Sequence, residues 1–262
     1  MLTLPLLLIA SAFSSVQNAP ALSGDEVARL INGRPNGDLR TGEITFEILD
    51  ARGRSRQRTA KLAVGAMDDS HRIVLAFTKP STIRETAFLS HNHDNPELAD
   101  ETWLFLPATD LVRRMPESDL ADSFMGTELS FGDVADDFKF GLDDYSFAAA
   151  EGAGGALILK GVASSPAKAR ELGYSSFSAT VDPSTWFPIE ITFTDTRNEP
   201  LKTITVEEVS EVGASFSAVK FRIENIQTGK KTNVTVKDLE PAPDLAERTF
   251  DPAWLDRIGS RL

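Results

Sequence analysis

The stretch WFPIEITFTD, residues 186–195, decides how this chain is read. Phe187, Ile189, Ile191 and Phe193 point one way, and Glu190, Thr192 and Thr194 point the other. An apolar side chain at every second position is the pattern of a β-strand with one dry face and one wet face. A helix would need apolar spacings of three and four, which are absent here.

The same alternation recurs on either side. In GEITFEIL (42–49) Ile44, Phe46 and Ile48 share a face, and DARGR (50–54) supplies a turn. SAVKFRIEN (217–225) aligns Val219, Phe221 and Ile223, and TNVTVKDL (232–239) aligns Val234 and Val236. DTRNEP (195–200) and QTGKK (227–231) are turn signals between them, and strands joined by short turns pair antiparallel. The C-terminal part therefore reads as a β-meander. The whole reads as a mainly β fold of α+β type: one curved antiparallel sheet with a few short helices against its concave side.

Two helices are expected at the ends. SGDEVARLINGR (23–34) carries an S-x-x-E capping box at Ser23 and Glu26, an apolar stripe at Val27, Leu30 and Ile31, and a stop at Gly33 and Pro35. RTFDPAWLDRIG (248–259) predicts a short terminal helix after Pro252. The first 21 residues, MLTLPLLLIASAFSSVQNAPA, hold an apolar run too short to span ~30 Å of hydrocarbon, followed by a small-x-small site at Ala19-Pro20-Ala21. They are expected to be a cleaved secretory signal, leaving residues 22–262 as one soluble exported domain.

Composition excludes several functions. There is no cysteine, hence no thiolate metal site, thiol catalysis, disulfide or acylated N-terminal cysteine. With 39 acids against 27 Lys and Arg, the net charge of −12 argues against nucleic-acid binding, and against adhesion to anionic lipid by overall charge.

Catalytic templates fail. EGAGGALILKG (151–161) lacks both phosphate-loop patterns and is flanked by strand-like segments, so it reads as a Gly-rich hairpin. His91 and His93 in HNHDNP could share a face as metal ligands, but the density of turn formers predicts a solvated loop. The acids of DVADDFKFGLDD miss calcium-loop spacing and read as a solvated face. No G-x-S-x-G elbow is present. The chain is expected to be neither an enzyme nor a cofactor or metal protein.

The central block, residues 79–134, is different in character. TWLFLPA (102–108) places Trp103 and Phe105 on one face and Leu104 and Leu106 on the other, so this strand must be covered on both sides or line a cavity. LVRRMP (111–116) reads as a returning strand, and DSFMGTELSFGD (122–133) as a greasy, kinked segment with Phe124 and Met125 at its tip.

In succession, FTKPSTIRETAFL (77–89), WLFLP (103–107), VRRM (112–115), DSFMGT (122–127) and FGDV (131–134) resemble the outer membrane lipoprotein-sorting proteins of the LolA-like class. WFPIEITFTD, KTITVEEV (202–209) and NIQTGKKT (225–232) extend the resemblance over residues 24–258. It implies an unclosed antiparallel β half-barrel with a lidded apolar concave face. It also implies a periplasmic carrier or chaperone, monomeric, for a lipid or the acyl chain of a lipoprotein, in lipoprotein sorting or beside an envelope exporter. The alternative is an adaptor module of a resistance–nodulation–division transporter that carries no ligand. On this reading Trp103, Phe105, Phe124, Met125 and Phe131 are candidates for the lining or lid. Arg84, Arg113 and Arg114 are candidates for contact with an anionic headgroup, or for pairing with Asp119, Asp122 or another nearby acid.

Overall fold

The computed structural model describes residues 22–95, 97–260 and 262. The expected signal, residues 1–21, lies outside the described residues.

Two antiparallel meanders build one sheet. The first comprises β1 (Arg40–Leu49), β2 (Ser55–Met67), β3 (Ser70–Lys79), β4 (Ala87–His93), β5 (Glu101–Leu106) and β6 (Leu111–Arg114). The second comprises β7 (Tyr145–Glu151), β8 (Leu157–Ala163), β9 (Ser176–Asp182), β10 (Phe187–Thr194), β11 (Pro200–Val212), β12 (Ser215–Asn225) and β13 (Lys231–Pro241). They join where β1 pairs with β13, with Phe46 opposite Val234. The order is β6-β5-β4-β3-β2-β1-β13-β12-β11-β10-β9-β8-β7, thirteen strands that do not close into a barrel.

This order has a consequence for the connection. The chain leaves the sheet at β6, one edge, and returns at β7, the opposite edge. Residues 115–144 make that passage across the inner face. They carry α2 (Phe131–Asp136), capped by a reciprocal Ser130–Asp133 box. The inner face is also covered by α1 (Gly24–Asn32), whose Ser23–Glu26 capping box forms as expected. A short α3 (Pro166–Leu172) follows β8.

Strands β3 to β5 are dry on both faces. Ile73, Leu75, Phe77, Phe88 and Leu104 belong to the inner core. Val74, Ala76, Ala87, Leu89 and Phe105 form a second, outer core with Phe250, Leu255 and Ile258. Those last three come from the 3-10 segments Glu247–Phe250 and Pro252–Ser260, so the expected terminal helix is a 3-10 helix laid over the outer face. Covering on both sides is what a strand such as TWLFLP requires.

Three local expectations need correction. Ile189 is 38% exposed, although Phe187 and Ile191 are buried, because the β9–β10 register shifts between Pro188 and Glu190 and the bulge turns Ile189 outward. Leu30 is exposed, and α1 docks through Val27, Ala28 and Ile31. His91 and His93 are not in a loop: β4 runs to His93, because β3 pairs with it as far as His93 and β5 as far as His91. The Gly-rich stretch forms the β7–β8 hairpin, as expected.

Phe250 is fully buried where the C-terminal segment seals the outer core, and its carbonyl accepts from His91 at 2.8 Å. Phe250→Ala is expected to cost about 3–5 kcal/mol by the lost transfer energy and the cavity left behind. Urea unfolding of the variant against the parent chain measures it.

Candidate functional site

Between the crossing segment and the inner face lies a half-open cavity of about 750 Å³. Its floor follows from strand alternation: Ile44 and Phe46 of β1, Leu62 and Val64 of β2, and Ile73 and Leu75 of β3 each contribute two residues spaced by two. The second meander adds Ile191, Phe193, Ile204, Phe221 and Val236. The roof is Met115, Leu120, Leu129, Val134, Phe138 and Phe140 of the crossing segment. A concave, largely apolar space of this size is in the range of sites for small organic ligands.

The roof is fastened at several points. Phe124 is fully buried in a ring cluster, with centroids 5.8 Å from Phe46, 5.9 Å from Phe77, 5.3 Å from Phe88 and 5.2 Å from Phe131. The loop that carries it is closed by Phe124 N donating to Leu129 O at 2.7 Å and Thr127 Oγ1 donating to Phe124 O at 2.7 Å. Met125 and Gly126 turn the chain at φ 49° and 72°. Farther along, Lys202 of β11 pairs with Asp133 of α2, both side chains 5% exposed, and also donates to Glu128 O at 3.1 Å. Tyr174 Oη donates to Asp133 Oδ1 at 2.9 Å, and the Lys202 ammonium stands 5.0 Å from the centre of its ring. Asn92 of β4 donates to Ala135 O at 2.5 Å.

Acids gather around the cavity. Asp100, Asp133, Asp136 and Asp144 all border it, with Arg114, Lys139 and Lys168 as the nearby cations. Lys168 bridges Asp144 at 3.0 Å and Glu171 at 2.5 Å. Asp136 meets solvent at the mouth, but crowding by protein, then by Asp133, Asp100 and Asp144, raises its pKa well above the usual carboxylate range. Asp137 goes the other way: burial opposes ionisation, yet His71, donating from 3.0 Å, with Arg34 and Lys139 nearby, brings it down to about 2. No cluster of metal-ligating side chains occurs among the described residues.

The residues singled out from the sequence are divided by the fold. Phe124, Met125 and Phe131 pack in the inner core without bordering the cavity. Trp103 and Phe105 face the outer core, where Trp103 lies edge-on to His91 at 4.8 Å. Of the three arginines only Arg114 borders the cavity, and it pairs with Glu101 at 3.2 Å. Arg113 pairs with Asp119 at 3.4 Å, and Arg84 donates to Thr78 O at 3.4 Å. The roof residues Phe138 and Phe140 leave only a Phe-Lys-Phe alternation between acids as their trace in the sequence.

Two outcomes follow. Lys202→Met is expected to cost about 3–5 kcal/mol in denaturant unfolding, because Asp133 is then a buried charge without its partner. Asp136→Asn is expected to stabilise the chain at neutral pH. A carboxyl whose folded pKa is raised loses stability as pH rises from its unfolded pKa through its folded one. The gain over the parent should therefore shrink as pH falls and vanish below about 4, which thermal melts across the pH range measure.

A family model described as "Uncharacterized protein" matches residues 69–257. No curated protein matches the chain. Among solved structures, an outer membrane lipoprotein-sorting protein domain from Vibrio parahaemolyticus is 25% identical, with 89% of this chain and 98% of that one covered at a TM-score of 0.77. A DUF1329 family protein from Desulfovibrio piger is 20% identical, covers 88% and 97%, and has a TM-score of 0.76. A LolA superfamily protein from Nitrosomonas europaea is 16% identical, covers 88% and 98%, and has a TM-score of 0.62. The last two speak for the fold alone. The chain therefore belongs to the family of that model, and it shares the unclosed half-barrel fold of these lipoprotein-sorting and LolA superfamily structures.

Proposed function

We propose that this protein is a periplasmic carrier that holds a lipid, or the acyl chain of a lipoprotein, inside its half-barrel. The observation that carries this reading is the cavity of about 750 Å³ left open between an apolar floor and an apolar roof. A folded chain of this size could have filled that space with its own side chains, as interiors normally are. At roughly 30 Å³ per water-sized group, the space suits on the order of two dozen heavy atoms. An acyl chain of about 16 carbons gains ~0.8 kcal/mol per buried methylene, on the order of 10 kcal/mol before ordering costs. Binding of this kind needs shape and dryness rather than catalytic groups. The sorting function given to the Vibrio relative supports the reading. No helix among the described residues is long and apolar enough to cross a membrane.

A ligand-free adaptor for an envelope transporter is the second reading, favoured by the sheet edges β6 and β7, which have no second partner strand among the described residues and could each accept one.

Mass spectrometry of protein purified without detergent separates the two: a carrier yields extractable lipid, an adaptor yields none. Ala218→Trp, which projects an indole from the floor into the cavity, is expected to lower uptake of a fluorescent fatty acid at least tenfold while leaving the fold intact by circular dichroism. Clean extracts together with no uptake by the parent chain would sink the carrier reading.

A further inference from the structure

The hairpin between β1 and β2 reads DARGRSRQR, residues 50–58, with four arginines and one acid in a chain of net charge −12. Arg54 pairs with Asp50 at 2.6 Å, whereas Arg52, Arg56 and Arg58 have no carboxylate within ion-pair distance among the described residues. Arg56 and Arg58 stand opposite Ile48 and Phe46 in the sheet register, so they extend the inner face beyond the Phe124 cluster. Both reach toward the turn at Gly126. Arg56 Nη2 donates to Gly126 O at 3.2 Å, and the point where a Cβ on Gly126 would lie is 3.4 Å from Arg56 Nη2 and 3.5 Å from Arg58 Nη2. Two guanidinium groups thus converge over a bare glycine with no acid between them. Burial and the neighbouring Arg56 charge together lower the Arg58 pKa.

We propose that this arginine hairpin docks the protein on an anionic phospholipid surface, with Arg56 and Arg58 gripping a headgroup phosphate above Gly126. Guanidinium forks match phosphate oxygens in geometry as well as charge. The chain's overall negative charge does not prevent this, because salt screens charges beyond roughly 8 Å and the local field is then that of the hairpin. A bilayer fits better than an acidic protein. Residues 50–58 offer no side chain more apolar than Ala51, whereas a protein interface buries an apolar centre. Docking of this kind would bring the inner face next to the membrane, and it holds whatever the cavity contains.

Co-sedimentation with vesicles tests it, using phosphatidylcholine alone and an equal mixture with phosphatidylglycerol. The purified chain should partition onto the anionic vesicles only, and lose that binding as salt rises. The triple variant Arg52→Gln, Arg56→Gln, Arg58→Gln should bind about a hundredfold more weakly, at roughly fivefold per arginine. Arg170→Gln on α3, which packs on β8 toward the other end of the strand order, should bind as the parent does. Fatty-acid uptake by the triple variant should be unchanged, which separates this proposal from the carrier reading. Three results would each overturn it: no binding to anionic vesicles at about 0.15 M salt, where that screening holds, equal binding to both compositions, or full binding by the triple variant. Displacement by inorganic phosphate, but not by chloride at equal ionic strength, would also overturn it in favour of a free-anion site.

Discussion

The chain leaves its sheet at one edge and re-enters at the other, and most of the structure follows from that crossing. Thirteen strands in one open layer present a large apolar inner face that must be covered. The connection from β6 to β7 crosses it, so the cover and the crossover are the same residues. A cover that must also span a curved sheet touches it at intervals. Where it touches, at Phe124, there is ordinary close-packed core. Between such contacts, under Met115, Leu120, Leu129, Val134, Phe138 and Phe140, there is a cavity.

The points of contact differ in kind. The Phe124 cluster is apolar and depends on shape. The Lys202–Asp133 pair is ionic, buried and surrounded by hydrogen bonds from Ser130 N and Tyr174. A buried ion pair contributes little net stability against an apolar equivalent, but it penalises every arrangement in which one partner is left alone. It therefore fixes α2 to β11 in one register more firmly than grease would. The acids around the mouth work against the fold to a degree, since Asp136 is held among like charges. Sites that handle ligands often retain such local costs.

Much of this architecture was legible beforehand. The alternation in 42–49, 186–195, 217–225 and 232–239 marked strands because a pleat places every second side chain on one face. The Ser23–Glu26 box marked a helix start because its partners are three residues apart, within reach of local geometry. TWLFLP announced a strand covered twice. What failed was less local. Ile189 obeyed the alternation and yet faces out, since a bulge is created by the pairing partner. His91 to His93 looked like part of a loop by composition and became the end of β4, because neighbouring strands supplied their hydrogen bonds. Phe138 and Phe140 lay hidden among acids, and an acidic stretch reads as a solvated face until a fold shows what lies beneath it.

The sequence by itself determined the period of the strands, the helix caps, the family resemblance and the absence of thiol chemistry, because each is written in spacings of a few residues or in composition. Only the tertiary structure decided which greasy side chains border the cavity and which are core. Trp103 and Leu104 are adjacent and equally apolar, but they point to opposite faces, and which face is the concave one depends on how the sheet curves. Phe124 and Leu129 lie five residues apart, one in a plug and the other at the cavity. Burial of an apolar group is indifferent to what it is buried against, so hydrophobicity marks a residue as inside without saying whether that inside is full or open.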